Sequence, residues 1–562
     1  MSARQPPLHY RFWPKDVPYD ISRPRTSLSY NLEVSAARYP EKTALLFYDT
    51  HISYAELRDT VDRLAGYLQQ DCGVKRGDRV AVYMQNSPQF IIAYYAILRA
   101  DAMVVPVNAM LTAEEVRHLV SDSGARAIFA AQDLLPRLAE LRGDGWLKHV
   151  ITATYADYLR TSTDLAVPDF LTAARVPLPA GAVAWRDAIA AGRVPAPAQA
   201  GPDDLCVMPY TSGTTGLPKG CIHTHATVMH TLMVQTQWYG GLCADQVTLC
   251  TLPLFHVTAM QSSMNTPIYG GLTIVVLPRW DRDVAVALIA RYKVNSWSNI
   301  TTMLVDFLAN PRLAEYDISS LTRVSGGGAS MPDAVAKKFR ELTGLDYLEG
   351  YGLSETIAPS HINPPAHPKR QCLGIPICNT DSRIVHPETL EELPVGEVGE
   401  IITSGPGVFK GYWNDAEKTR DAFIELDGKS FFRTGDLARI DEDGYFFMVD
   451  RLKRMINASG FKVWPAEIEA MLYAHPDIQE ACVIASSDAH RGETVKACVV
   501  LRAHARGKTR PEDIVAWSKE RMAAYKYPRI VEFVDALPKS GTGKVQWRLL
   551  QEQENARTAK AA

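Results

Sequence analysis

Residues 322–352 read TRVSGGGASMPDAVAKKFRELTGLDYLEGYG. A short strand, TRVS, runs into three glycines, Gly326, Gly327 and Gly328. A helix follows, with Ser330 and Asp333 suggesting a capping-box-like start, Pro332 suiting the first turn and Gly344 the stop. DYLEG then reads as a second strand, and strand–helix–strand is the signature of an α/β body.

The same alternation extends upstream. In YAELRDTVDRLAGYLQQ, Tyr54 to Gln70, the residues Leu57, Val61, Leu64 and Leu68 fall three or four apart and predict one apolar helix stripe. RVAVYMQ after Gly77 reads as a buried-type strand. Residues 155–203, rich in Ala and Pro with weak periodicity, read as a surface crossover.

Downstream of about Gly396 the pattern turns to short strands, with DLARI and YFFMV joined by DEDG as a hairpin. After Asp450 it changes again, with a helix opening at Pro465, the strands ACVIAS and ETVKACVVLR, and a helix around PEDIVAWSKERM. The expected fold is α/β. A large N-terminal body, 1–450, comprises α/β subdomains of about 1–200 and 201–395 and a β-rich subdomain of about 396–450. A separate small α+β domain, 451–562, follows, with Asp450 and Arg451 at the joint.

With 562 residues and 46% hydrophobic content the chain can bury large cores. Its 60 Lys plus Arg against 63 Asp plus Glu leave a formal charge of -3, which gives no global field for nucleic acid. The nine cysteines are scattered without a C-x-x-C pair and read as reduced thiols, not as a zinc site or disulfide frame. No apolar run reaches the roughly 18 residues of a spanning helix, and the N-terminus lacks an apolar signal core. A cytoplasmic location is expected, with peripheral membrane contact and a homodimer left open.

The densest chemical signal is Thr211-Ser212-Gly213-Thr214-Thr215-Gly216-Leu217-Pro218-Lys219-Gly220. Its glycines allow close backbone approach, and its hydroxyls, amides and ammonium can donate to phosphate oxygens. It is not a Walker A loop, because Pro218 precedes Lys219 where that motif needs Gly, and Gly220 follows where it needs Ser or Thr. A flexible linker has similar composition. A linker, however, does not predict the second constellation, Glu349-Gly350-Tyr351-Gly352-Leu353-Ser354-Glu355-Thr356, at the carboxyl end of a strand, where α/β enzymes place ligands.

Together with Thr434-Gly435-Asp436, Asp450-Arg451 and Pro538-Lys539-Ser540-Gly541-Thr542-Gly543-Lys544, these segments resemble the adenylate-forming superfamily. That superfamily holds acyl-CoA synthetases, peptide-synthetase adenylation domains and beetle luciferases. The resemblance spans about residues 30 to 550 and implies two steps. A carboxylate attacks the α-phosphate of ATP to give an acyl-adenylate and pyrophosphate, and a thiol, usually that of coenzyme A, then displaces AMP.

By the same resemblance, Thr211, Ser212, Gly213, Thr214, Thr215, Gly216 and Lys219 should cradle the β- and γ-phosphates. Ser354 or Thr356 should touch phosphate, and Glu355 should hold Mg2+. Gly327, Gly328, Ala329 and Tyr351 should enclose adenine, and Asp436 should bind ribose with Arg451 beside it. Lys544 should bridge the carboxylate and the phosphate oxygens during adenylation. The small domain should swing about Asp450 and present the loop carrying Ser459 and Gly460 to the thiol. Some relatives carry a lysine where this chain has Asn457, so no role for a lysine is carried over there.

His256, in Pro253-Leu254-Phe255-His256, matches the residue beside the acyl site and is expected to gate or line it. The remaining walls are expected from Val257, Met260, Trp297, Ile300, Gly326, Gly327, Gly352 and Ile357. No Asp follows Phe255, where amino-acid-activating relatives place a carboxylate. Gly352, which relatives acting on very short acids fill with Trp, implies a longer channel. The expected activity is that of an acid–thiol ligase for medium- or long-chain fatty acids using ATP, Mg2+ and coenzyme A. The alternatives are an aryl- or alicyclic-acid ligase of the same mechanism, a luciferase-type oxygenase, and a catalytically silent homologue that binds nucleotide or acyl chains.

Overall fold

The computed structural model describes residues 6–211, 218–328, 330–458, 461–488, 492–539 and 545–561. The chain divides into two compact units. Residues through Asp381 with Thr403–Phe432 form the first, and Ser382–Ile402 with Arg433–Ala562 form the second. The division crosses the Lys429–Ile440 strand.

The first unit holds two large sheets. One runs in the order 375–376, 361–362, Tyr347–Tyr351, Arg323–Gly327, Ser296–Asn299, Val247–Cys250, Thr273–Val276, Thr43–Phe47 and Thr50–Ser53. Its central strands are parallel. The other runs His223–Thr224, Leu205–Val207, Met103–Val107, Arg79–Tyr83, Ala127–Ala131, His149–Ala153 and Ala182–Ala184. The expected surface crossover thus contributes an edge strand, and it also carries a short helix, Trp185–Ala190, whose Trp185 is buried.

The predicted helix forms over Tyr54–Gln70 and buries Leu57, Val61, Leu64 and Leu68, each burial contributing about 1.5–3 kcal/mol. Its N-cap is Ser53, whose hydroxyl accepts from the Glu56 amide. The strand–helix–strand unit also forms, with its helix over Asp333–Thr343 ending at Gly344 in the left-handed region (φ 73°). The expected capping box does not form. Pro332 occupies the N-cap and has no side-chain acceptor, and Asp333 instead pairs with Arg370 at 2.8 Å.

In the second unit, Ile440 pairs with Phe446 across the predicted hairpin. Farther along, Ile478–Asp488 and Gly492–Leu501 form a long antiparallel pair, with Ile530–Phe533 parallel to the latter. Helices Pro465–Leu472 and Pro511–Arg521 both begin on the proline that suits a first turn. The helix Trp547–Ala561 is tied to the sheet by Lys496, whose ammonium lies 2.5 Å from Glu554 and 2.7 Å from Glu532. Among the described residues, no helix is long and apolar enough to cross a membrane.

Candidate active site

Lys219 lies in a two-residue strand paired with Tyr210–Thr211, so the two ends of the Gly/Ser/Thr loop meet as an antiparallel ladder. Ser212, Gly213, Thr214, Thr215 and Gly216 between them lie outside the described residues. The Lys219 ammonium sits 4.8 Å from the centre of the Tyr412 ring, a cation–π contact. Burial, then the neighbouring Lys418, pushes its pKa down, while Asp415 and Glu355 oppose the shift.

The Tyr412 hydroxyl donates to Glu355 Oε1 at 2.9 Å. Burial, followed by the Glu355 charge, raises the phenol's pKa, so it remains a donor. Two sequence-predicted residues, Lys219 and Glu355, therefore meet through a third that the sequence reading missed. Tyr412 falls after Phe409 in a stretch where an aromatic reads as ordinary core, and it carries no motif of its own.

Glu355 is held at its backbone as well. The Phe409 amide donates to its carbonyl at 2.8 Å, and His223 Nε2 lies 2.7 Å from the Ser354 carbonyl. A carbonyl can only accept, so Nε2 carries the proton. Burial lowers the His223 pKa to about 4, which keeps the ring neutral. Ser354–Thr356 forms a single 3-10 turn closed by the Thr356 hydroxyl, which accepts from the Leu353 amide at 2.9 Å. Thr356 is buried, whereas Ser354 and Glu355 are half-buried.

The glycines at the strand ends answer to close packing. A side chain at Gly326 would strike Tyr347 Oη and the Asn299 carbonyl, and one at Gly327 would strike the Gly350 carbonyl. Gly328 takes a positive φ of 85°. Tyr351, half-buried at the end of its strand, meets His361 edge-on at 5.5 Å. Ala329 lies outside the described residues. A Cβ at Gly352 would come within 2.9 Å of Ala358 and Pro359, so local packing already demands glycine there. The residue therefore carries less weight for channel length than its sequence position suggests.

His256 is the N-cap of a short helix, with Nδ1 accepting from the Thr258 amide at 3.3 Å, and it is half-buried. Val257, Met260 and Ile357 are fully enclosed and Ile300 is half-buried. Trp297 is 1% exposed, stacked on Trp280 at 5.6 Å, with its indole N–H donated to Thr251. That is a core placement. Met260–Asn265 forms a π-helical turn, a rare element often found at functional sites.

Asp436 and Arg451 lie in the second unit, as register partners across the hairpin, with Arg451 Nε 3.0 Å from Asp436 Oδ1. The turn before Asp436 is fixed by Glu400, which the sequence reading also missed. Its buried carboxylate accepts from the Gly435 amide and from Arg433 Nε, both at 3.0 Å. Asp450 is 2% exposed and accepts from two amides, Arg451 N and Ala466 N, each at 2.7 Å. Burial raises its pKa, with Arg454 opposing. Ser459, Gly460 and Lys544 lie outside the described residues.

Comparison with known proteins gives a coherent result. A family model described as AMP-binding enzyme matches residues 32–413, and one described as AMP-binding enzyme C-terminal domain matches residues 467–544. The chain is 34% identical over 553 residues to a long-chain-fatty-acid–CoA ligase of Bacillus subtilis, covering 96% of this chain and 97% of that one. It is also 34% identical over 511 residues to a feruloyl-CoA synthase of an Amycolatopsis species, covering 90% and 94%. Among solved structures, an anthranilate CoA ligase in complex with anthranoyl-AMP superposes with a TM-score of 0.81 at 26% identity, covering 97% and 99%.

Proposed function

The chain belongs to the AMP-binding enzyme family, and from that premise we propose that this ATP-dependent acyl-CoA ligase acts on medium- or long-chain fatty acids. The observation that carries the reading is the end-to-end match to a long-chain-fatty-acid–CoA ligase at 34% identity. The geometry agrees with it through the Lys219–Tyr412–Glu355 cluster, which gathers a cation, a donor and a carboxylate where a nucleotide triphosphate would have to be met.

In the first step the acid's carboxylate approaches the α-phosphate, two anions that repel unless cations and donors stand ready. Lys219 supplies one charge, and we assign Lys544 the bridging of carboxylate and phosphate during attack. Asp436, with Arg451 beside it, accepts the ribose hydroxyls. Gly327, Gly328, Ala329 and Tyr351 frame the adenine. His256 closes the acyl side.

The donor set fits Mg2+. Glu355 offers one carboxylate, and no group of three or more acidic, His or Cys side chains gathers into a cage among the described residues. A small hard ion that keeps its waters and rides on substrate phosphates needs only one or two protein carboxylates. Bound there, it would neutralise phosphate charge. For the second step we assign the small domain a swing about Asp450 that brings Ser459 and Gly460 to the coenzyme A thiol.

The feruloyl-CoA synthase and the anthranilate ligase favour a second reading, an aryl acid handled by the same mechanism. The test is coenzyme A-dependent AMP formation on aliphatic acids from acetate to stearate, with benzoate, ferulate, cyclohexanecarboxylate and amino acids, the thioesters identified by mass. A maximum among medium or long aliphatic acids is the expected result. A maximum at aryl acids replaces the substrate and keeps the mechanism, whereas no turnover on any acid returns the silent homologue.

A further inference from the structure

Arg323 opens the strand Arg323–Gly327, and residues 323, 325 and 327 share one face of it. Gly327 stands at the site end of that face, and Arg323 lies about 13 Å behind it along the strand. An interior strand of a parallel sheet is normally a continuous apolar run. Here the face instead presents an arginine and Ser325, whose hydroxyl is 3.4 Å from that of Ser298 on the neighbouring strand.

The Arg323 side chain is half-buried, and burial pushes its pKa below the ordinary value. Its side chain has one partner among the described residues, the face of Tyr239, 4.4 Å from the ring centre. Other arginines of this unit are paired with carboxylates: Arg76 with Asp204 at 2.7 Å, Arg193 with Asp71 at 2.8 Å and Arg291 with Asp49 at 2.6 Å. Tyr239 follows the last residue of the His225–Trp238 helix and also faces Ser325. The cluster of Arg323, Tyr239, Ser325 and Ser298 is therefore cationic and donor-rich, and among the described residues no carboxylate pairs with it.

A methyl terminus set against such a cluster would leave the cation desolvated without compensation. A carboxylate would meet the guanidinium fork with paired hydrogen bonds. We propose that the preferred acid carries a second carboxylate at its far end, an ω-carboxy fatty acid, which Arg323 recognises while the other carboxylate is activated. This rests on the acyl-CoA ligase reading and narrows its substrate class. The distal group takes no part in the chemistry, so it leaves unchanged in the thioester product.

The experiment measures kcat/KM of the full chain for monocarboxylic acids, α,ω-dicarboxylic acids of matched length and p-hydroxycinnamates. It uses the unmodified protein, Arg323→Leu and Arg323→Lys. The expected result is a preference for the diacid of about 10-fold or more, lost by a factor on the order of 100 in Arg323→Leu. The loss should lie mainly in KM and be partly restored in Arg323→Lys, while monoacid turnover rises in Arg323→Leu and shows that the variant is folded. A monoacid preference at every length, or a diacid-to-monoacid ratio indifferent to Arg323→Leu, overturns the proposal. An Arg323-dependent preference for hydroxycinnamates overturns the carboxylate as the partner. AMP formation with none of the acids overturns the ligase reading itself, and is told apart from the other failures because those all leave turnover intact.

Discussion

The Tyr412 hydroxyl donates to Glu355 while its ring lies against the Lys219 ammonium, so one side chain sets the positions of a carboxylate and a cation of opposite purpose. Tyr412→Phe keeps the ring against Phe409, 4.9 Å away, and removes only the donor. A hydrogen bond to a charged group is worth about 1.5–3 kcal/mol, so kcat/KM for ATP is expected to fall about 10- to 100-fold with unchanged thermal stability. The Mg2+ concentration for half-maximal rate should rise, and a Mg2+ titration identical to that of the unmodified enzyme would remove Tyr412 from the site. Lys544→Ala is expected to slow acyl-adenylate formation by about 10² to 10³, while thioester formation from supplied adenylate suffers less. Rapid-quench measurement of the two half-reactions separates them.

Elements whose residues declare their own period were legible in the sequence. The Tyr54–Gln70 helix follows from four apolar residues on one stripe, and the Asp333–Thr343 helix from its terminal Gly344. The helix start at Pro332 was misread because Ser330 and Asp333 have the right chemistry, and only the backbone decides which residue occupies the cap. Of the candidate site, the sequence offered the residues of dense motifs, and two of these, Lys219 and Glu355, come together through Tyr412. Tyr412, Glu400 and His223 were not legible, because each acts through a partner far away in sequence and none sits in a dense motif. At this scale Asp450→Ala leaves the amides of Arg451 and Ala466 without their acceptor. It is expected to cost about 1–3 kcal/mol, seen as faster amide exchange at the start of the Pro465–Leu472 helix. Unchanged exchange there would mean that the carboxylate does not hold the helix.

Across the first unit, His9, His223, His225 and His230 are held by burial at about 4 and His361 at about 3, against an ordinary 6.5. These folded-state values are depressed, so the unfolded chain takes up protons first. The stability these rings contribute is complete above pH 6.5 and is lost as pH falls toward about 4. Urea unfolding across that window should show stability falling by more than about 1.4 kcal/mol per pH unit, the slope for a single proton. A shallower slope would mean that fewer than two of these rings stay neutral. Asp450 adds a mechanical corollary. Its carboxylate grips the amides of Arg451 and Ala466, both of which follow it in the chain. A rotation about the N–Cα bond of residue 450 carries carboxylate and both amides together as one rigid piece, whereas rotation about its Cα–C bond tears the grip on Arg451. If the small domain turns at this residue, the axle is the bond on the amino side, and the carboxylate is the pin that fixes the rotor to it.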